Sequence, residues 1–132
     1  MTPSNLYKCV LKNNVFVGPF VEIQREVIIG NNCRISSHTF ICELVKIGDD
    51  CFVGHGVMFV NDLFKNGKTG GSKENWYKTN IGNNVLIGSN STILPINICD
   101  NVVIGAGSVV TKNILKPGIY AGNPAKFIRK VK

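Results

Sequence analysis

Large apolar side chains return at every sixth position from Leu11: Leu11, Val17, Ile23, Ile29, Ile35, Ile41, Ile47, Val53 and Phe59. Four places later in each hexad stand Val15, Val21, Val27, Cys33, Thr39, Val45, Cys51, Val57 and Leu63, of which eight are small or β-branched. The count resumes at Ile81, Ile87 and Ile93, slips by one residue, and continues at Ile98, Ile104 and Val110. A period of six suits neither a 3.6-residue helix nor plain alternation. It suits a short flat strand followed by a corner, three of which close a triangular coil of 18 residues. The large side chain fills the prism, and the small one packs inward beside the next corner.

The pattern predicts an all-β chain, one domain over residues 1–132, with about five triangular coils stacked in parallel at ~4.8 Å. Residues 11–64 supply three coils and 81–115 two more, with Ile93–Asn97 forming a shortened side. Asn13-Asn14, Asn31-Asn32, Asp49-Asp50, Asn83-Asn84 and Asp100-Asn101 recur at one corner, where residues that tolerate positive φ suit a tight turn. Residues 61–80 interrupt the repeat as a long loop that contains none of the 30 Ile and Val residues but holds the single Trp, Trp76. Residues 116–132 leave the repeat, and Pro124 predicts the start of a short helix there.

Charge adds a second pattern. Residues 1–111 carry nine Lys/Arg against eight Asp/Glu, whereas residues 112–132 carry six Lys/Arg and no acid. Such a tail fits either a solvated surface or an anionic ligand held at one end of the molecule. Without interleaved aromatics or a reader motif it does not indicate nucleic acid. The five cysteines lack a CxxC pair and are odd in number, which argues against a disulfide framework or zinc ribbon. Cys33 and Cys51, one coil apart, read as reduced core residues. No apolar run is long enough to span a membrane and residues 1–5 lack a signal-peptide h-region, so a cytoplasmic location without membrane insertion is expected.

The hexads, the excursion loop and the segments Ile104-Gly105-Ala106-Gly107-Ser108-Val109-Val110-Thr111-Lys112 and Tyr120-Ala121-Gly122-Asn123-Pro124-Ala125-Lys126 resemble the hexapeptide-repeat acyltransferases. That resemblance implies a left-handed parallel β-helix, a homotrimer, and acetyl-CoA lying along the coils between two subunits. It implies pantetheine contacts near Gly88, Ala106 and Lys112 and phosphate contacts at Lys126 and Arg129. More narrowly, Ser37–Glu43 and Gly54–Asp62 resemble the sugar-nucleotide N-acetyltransferases that acetylate dTDP-3-amino-3,6-dideoxyhexoses. The substrate implied is therefore a nucleotide-linked amino sugar, with no metal.

The 18-residue coil places Arg25, Glu43 and Asn61 in one column at the third corner, at ~4.8 Å steps. There Asn61 could accept a hydrogen bond from a sugar amine while Glu43 orients it. The same column also reads as an Arg25–Glu43 surface ion pair beside a capping Asn. Arg25, Asp62 and Trp76 complete the candidate substrate contacts. His38 and His55, the only histidines, fall at the second corner of adjacent coils. Either suits a proton acceptor for an amine, and either also suits an ordinary corner residue. The loop contains no histidine, unlike some relatives of the wider family, so the acceptor could instead be the thioester sulfur or water. Cys42 and Cys99 occupy the outward second position of their hexads without an activating base, so direct attack by the amine is simpler than covalent catalysis. Competing readings are an O-acetyltransferase, a 4-N-acetyltransferase, a γ-carbonic-anhydrase-like hydrolyase, for which two histidines fall one short of the usual zinc ligands, and a non-catalytic solenoid.

Overall fold

An inward apolar residue in every hexad needs only two or three flat residues before the chain must turn, and each hexad forms such a strand. The computed structural model describes residues 1–132, which wind into a left-handed parallel β-helix of about six turns. Its first face stacks Val10–Leu11, Ile28–Ile29, Val45–Ile47, Thr79–Ile81 and Asn97–Ile98. The second runs from Phe16–Val17 through Arg34–Ile35, Phe52–Val53, Leu86–Ile87 and Val102–Ile104 to Gly118–Gly122 and Ala125–Arg129. The third stacks Asn5–Leu6, Glu22–Ile23, Phe40–Ile41, Met58–Phe59, Thr92–Ile93 and Val109–Val110. No helix is long and apolar enough to cross a membrane.

The core is one column of 25 residues in which Ile23, Ile29, Ile35, Ile41, Ile47, Ile87, Ile93 and Ile104 are fully buried. Each such side chain contributes about 1.5–3 kcal/mol from the apolar area it removes from water. At the small position Thr39, Ser91 and Ser108 are buried as well, their hydroxyls donating to the carbonyls of Gly54, Gly105 and Gly105 at 2.9, 3.1 and 2.7 Å. Cys33 and Cys51 stack as expected: the Cys51 amide donates to Cys33 Sγ at 3.4 Å, and all five cysteines are free thiols.

The first corner is an amide ladder. Asn14, Asn32, Asp50, Asn84 and Asn101 have φ between 54° and 63°. Their predecessors link the coils vertically, since Asn31 Oδ1 accepts the Asn13 amide, Asp49 Oδ1 the Asn31 amide, Asn83 Oδ1 the Asp49 amide and Asp100 Oδ1 the Asn83 amide, at 2.7–3.0 Å.

Three features differ from the sequence expectation. There are about six turns rather than five, because Asn5–Leu6 opens a coil that pairs with Glu22–Ile23. Leu6 stands five positions before Leu11 rather than six, and it is exposed, so neither the period nor the burial pattern marks it. Residues 118–129 form an antiparallel hairpin rather than a helix. Gly118–Gly122 continues the second face beside Val102–Ile104, and its open edge offers Ala125–Arg129 a ladder that a short isolated helix would lack. The Phe127 ring meets Tyr120 edge-on at 5.4 Å and fixes the hairpin to the last coil. Finally, Cys42 is buried at the third corner instead of facing outward, and burial pushes its thiol up to about 12.

Candidate active site

The third corner carries one group of candidate residues. Arg25 Nε lies 3.9 Å from Glu43 Oε2, with the Glu43 side chain only 16% exposed. Gln24 braces the carboxylate's backbone, its Oε1 accepting the Glu43 amide at 3.2 Å while its Nε2 donates to Glu22 at 3.1 Å. Asn61 does stack on Glu43, yet it meets the main chain: Nδ2 donates to the Glu43 carbonyl at 3.1 Å, which leaves Oδ1 as the free acceptor. The excursion loop starts from this corner and returns to it, closed by the Tyr77 amide donating to the Asn61 carbonyl at 2.8 Å.

Asp62 organises the loop from inside. Its Oδ1 accepts the Phe64 amide at 3.0 Å and its Oδ2 the Gly70 amide at 2.6 Å. Trp76 is half-buried and packs beside Gly70, while Lys73 is ion-paired with Glu26 two coils below. A polar cavity of about 510 Å³ lies within the loop, lined by Asp62, Lys65, Lys68, Glu74 and Tyr77 among others. None of its lining residues belongs to the second corner.

The second corner carries the other group. His55 is exposed, and its Nδ1 lies 3.2 Å from Ser89 Oγ in the coil above. Sequence reasoning missed Ser89, because the loop lengthens the step between vertical neighbours here from 18 residues to 34. The resumed hexads carry the same step, Ile87 standing 34 residues after Val53, and the registers Met58↔Thr92 and Leu86↔Phe52 follow it. His38, at φ 64°, stacks its ring on Phe20 at 5.0 Å and stands in the neighbouring column.

Above His55 the corner is lined by small residues. A Cβ on Gly88 would stand 2.4 Å from the Ala106 nitrogen, so glycine is what lets these two coils close together. Gly107, at φ +68°, has nothing within 4 Å of the place a Cβ would take. The outcome is a strip of small residues from Gly88 to Gly107, on which Ser89 and Ala106 stand, with the exposed Asn90 at its margin over Gly56. Gly122, in the hairpin turn, closes the strip by donating its amide to Ser108 Oγ at 3.2 Å. Lys126 pairs with Ala121 at the same end of the hairpin. Arg129 pairs with Ile119, about 10 Å further along the strand. Lys112 projects from the third corner of the last coil, away from Gly88 and Ala106 within one protomer.

One protomer therefore gathers His55, Ser89, Gly88, Ala106 and Lys126 on one edge, with His38 adjacent, and Arg25, Glu43, Asn61 and Asp62 on another. His55 and Asn61 stand at opposite ends of Met58–Phe59, six residues of chain apart, a reach of at most about 20 Å.

Comparison with known proteins follows the same lines. Residues 8–43 match the family described as bacterial transferase hexapeptide (six repeats), and residues 44–58 and 78–112 match the hexapeptide repeat of succinyl-transferase, together most of the chain. The chain is 40% identical over 121 residues to the bifunctional protein GlmU of Streptococcus uberis, covering 91% of this chain but 24% of that protein. A galactoside acetyltransferase solved in complex with coenzyme A shares 32% identity at a TM-score of 0.80, over 93% of this chain and 65% of that one. A perosamine N-acetyltransferase from Caulobacter crescentus, solved with CoA and GDP-perosamine, shares the fold at 20% identity and a TM-score of 0.67, over 92% of this chain and 53% of that one.

Proposed function

This chain belongs to the hexapeptide-repeat transferases, and on that premise we propose that it is an acetyl-CoA-dependent N-acetyltransferase of a nucleotide-linked amino-deoxyhexose, most specifically a dTDP-3-amino-3,6-dideoxyhexose. The observation that carries the reading is the exposed His55 imidazole, held by Ser89 Oγ at 3.2 Å at the foot of the strip of small residues from Gly88 to Gly107. A thin pantetheine chain fits such a strip, since Gly88, Ala106 and Gly107 leave the backbone open to close approach. Acetyl-CoA, when bound, supplies the thioester.

The remaining roles fall to side chains of this protein. With Nδ1–H donating to Ser89 Oγ, His55 presents Nε2 as a bare acceptor for the amine proton. As the new C–N bond forms and the C–S bond breaks, that proton passes to the sulfur, so His55 ends as it began. A free backbone N–H on the strip would stabilise the oxyanion. Lys126 and Arg129, about 10 Å apart along one strand, suit two separate phosphate groups of the donor. In a homotrimer the third corner of a neighbouring copy would bring Asn61 Oδ1 and the Arg25–Glu43 pair to the acceptor sugar, with Lys112 also on that side and His38 and Trp76 at the margins. The reading includes a cytoplasmic location.

A second reading, transfer to a sugar hydroxyl, is favoured by the likeness to the galactoside acetyltransferase. Thiol release measured over a panel of nucleotide sugars separates the two. Turnover with amino sugars and none with the matching hydroxyl sugars is expected; the reverse result would establish the second reading and overturn the first.

A further inference from the structure

The last coil carries a second basic group that the acyl-transfer site does not use. Lys116 and Lys130 face each other across a depression of about 380 Å³, completed by Asn101, Pro117, Gly118 and Val131. No carboxylate lines it. The nearest acid in sequence, Asp100, has its Oδ1 occupied by the Asn83 amide of the coil below at 2.7 Å. Neither lysine is in an ion pair, whereas Arg25 and Lys73 both are.

Both lysines are anchored by their backbones, and neither ammonium meets a carboxylate. The Lys116 carbonyl accepts Tyr120 OH at 2.7 Å, and its Nζ rests 4.2 Å over the Phe127 ring. The Lys130 carbonyl accepts Arg129 Nη1 at 3.1 Å. Val131, in the lining, is 52% exposed, and Leu115, next in the chain to Lys116 and on the rim of the neighbouring first-face hollow, is 80% exposed; neither aliphatic side chain gains from water. Lys130 lies four residues beyond Lys126, and its depression adjoins Arg129, the outer of the two cations assigned to the donor phosphates.

We propose that this end of the β-helix docks peripherally on an anionic bilayer, with Lys116 and Lys130 taking a lipid phosphate headgroup and Leu115 and Val131 entering the interface. Cations around an open hollow without a carboxylate, flanked by exposed aliphatic groups, match the chemistry of an anionic membrane surface. Nucleic acid is disfavoured, because binding a strand calls for several open aromatic faces, and this site offers the one exposed ring of Phe127, over which Lys116 Nζ already stands at 4.2 Å. The inference stands apart from the identity of the acyl acceptor.

The test is co-sedimentation of the full chain with vesicles of phosphatidylcholine alone and of phosphatidylcholine with phosphatidylglycerol. Binding to the anionic vesicles only, weakened by salt, is expected. Each lysine near an anionic surface contributes about fivefold in partitioning, so K116Q with K130Q should lower binding about 25-fold. Leu115→Ser should lower it further, and K116R with K130R should retain it, which separates loss of charge from loss of fold. The glutamine pair should leave the acetyl-CoA-induced thermal shift intact. Equal binding to neutral vesicles, binding of inorganic phosphate or of a single-stranded oligonucleotide without vesicle binding, or no binding at all would each overturn the proposal.

Discussion

Ser89→Ala isolates the contact that distinguishes His55 from an ordinary corner residue. The substitution removes Oγ, 3.2 Å from His55 Nδ1, and nothing else that the fold depends on. Ser89 is only half-buried, and its carbonyl, which accepts the Gly107 amide at 2.8 Å, is retained, so stability should stay within about 0.5 kcal/mol of the parent. A neutral hydrogen bond of this kind contributes about 1 kcal/mol, here toward one ring orientation. Losing it should lower kcat about fivefold with KM for acetyl-CoA unchanged. His55→Asn, which cannot take up a proton, should lower kcat by about 10²–10⁴. In the His55→Asn background Ser89→Ala should then cost nothing more, because no ring remains to be held. Steady-state thiol release on the four proteins of this cycle measures the coupling. Equal losses from Ser89→Ala in both backgrounds, or full turnover by His55→Asn, would refute the reasoning.

Other substitutions probe the rest of the account. Asn61→Ala loses the donor to the Glu43 carbonyl at 3.1 Å and the free Oδ1; it should cost about 1 kcal/mol in a denaturant melt and lower kcat while the far-ultraviolet spectrum is kept. Gly88→Ala drives a methyl to 2.4 Å from the Ala106 nitrogen, so it should lose at least about 1–3 kcal/mol of stability by the same melt and raise KM for acetyl-CoA. Cys42, pushed up to about 12 by burial, stays a thiol through neutral pH; Cys42→Ser should keep turnover, and alkylation of Cys42 in the native protein should be slow at pH 8.

The sequence carried the solenoid because the period is repeated in the residues that build it. Ile23, Ile29 and Ile35 each state the same inward geometry, and the Asn/Asp pairs state the same corner, so a local error is outvoted. The first coil and the hairpin have no such redundancy. Leu6 stands out of step and exposed, and Pro124 signals a helix start until an open strand edge is available to the residues after it. At the candidate site, columns followed from counting: Asn61 does lie on Glu43, and His38 and His55 do share a corner. Side-chain direction did not follow from counting. Asn61 turned its amide to the main chain, Asp62 turned both oxygens into the loop, and Ser89 met His55 across an insertion that hid their register.

Amide hydrogen exchange with and without coenzyme A most directly tests the claim that the second corner is where the acyl donor lies. Binding should slow exchange in the peptides spanning Gly88–Ser89 and Gly105–Gly107 and leave the first-corner peptides around Asn31 and Asn83 unchanged. Protection at the first corner instead, or none on the strip at saturating coenzyme A, would contradict the account.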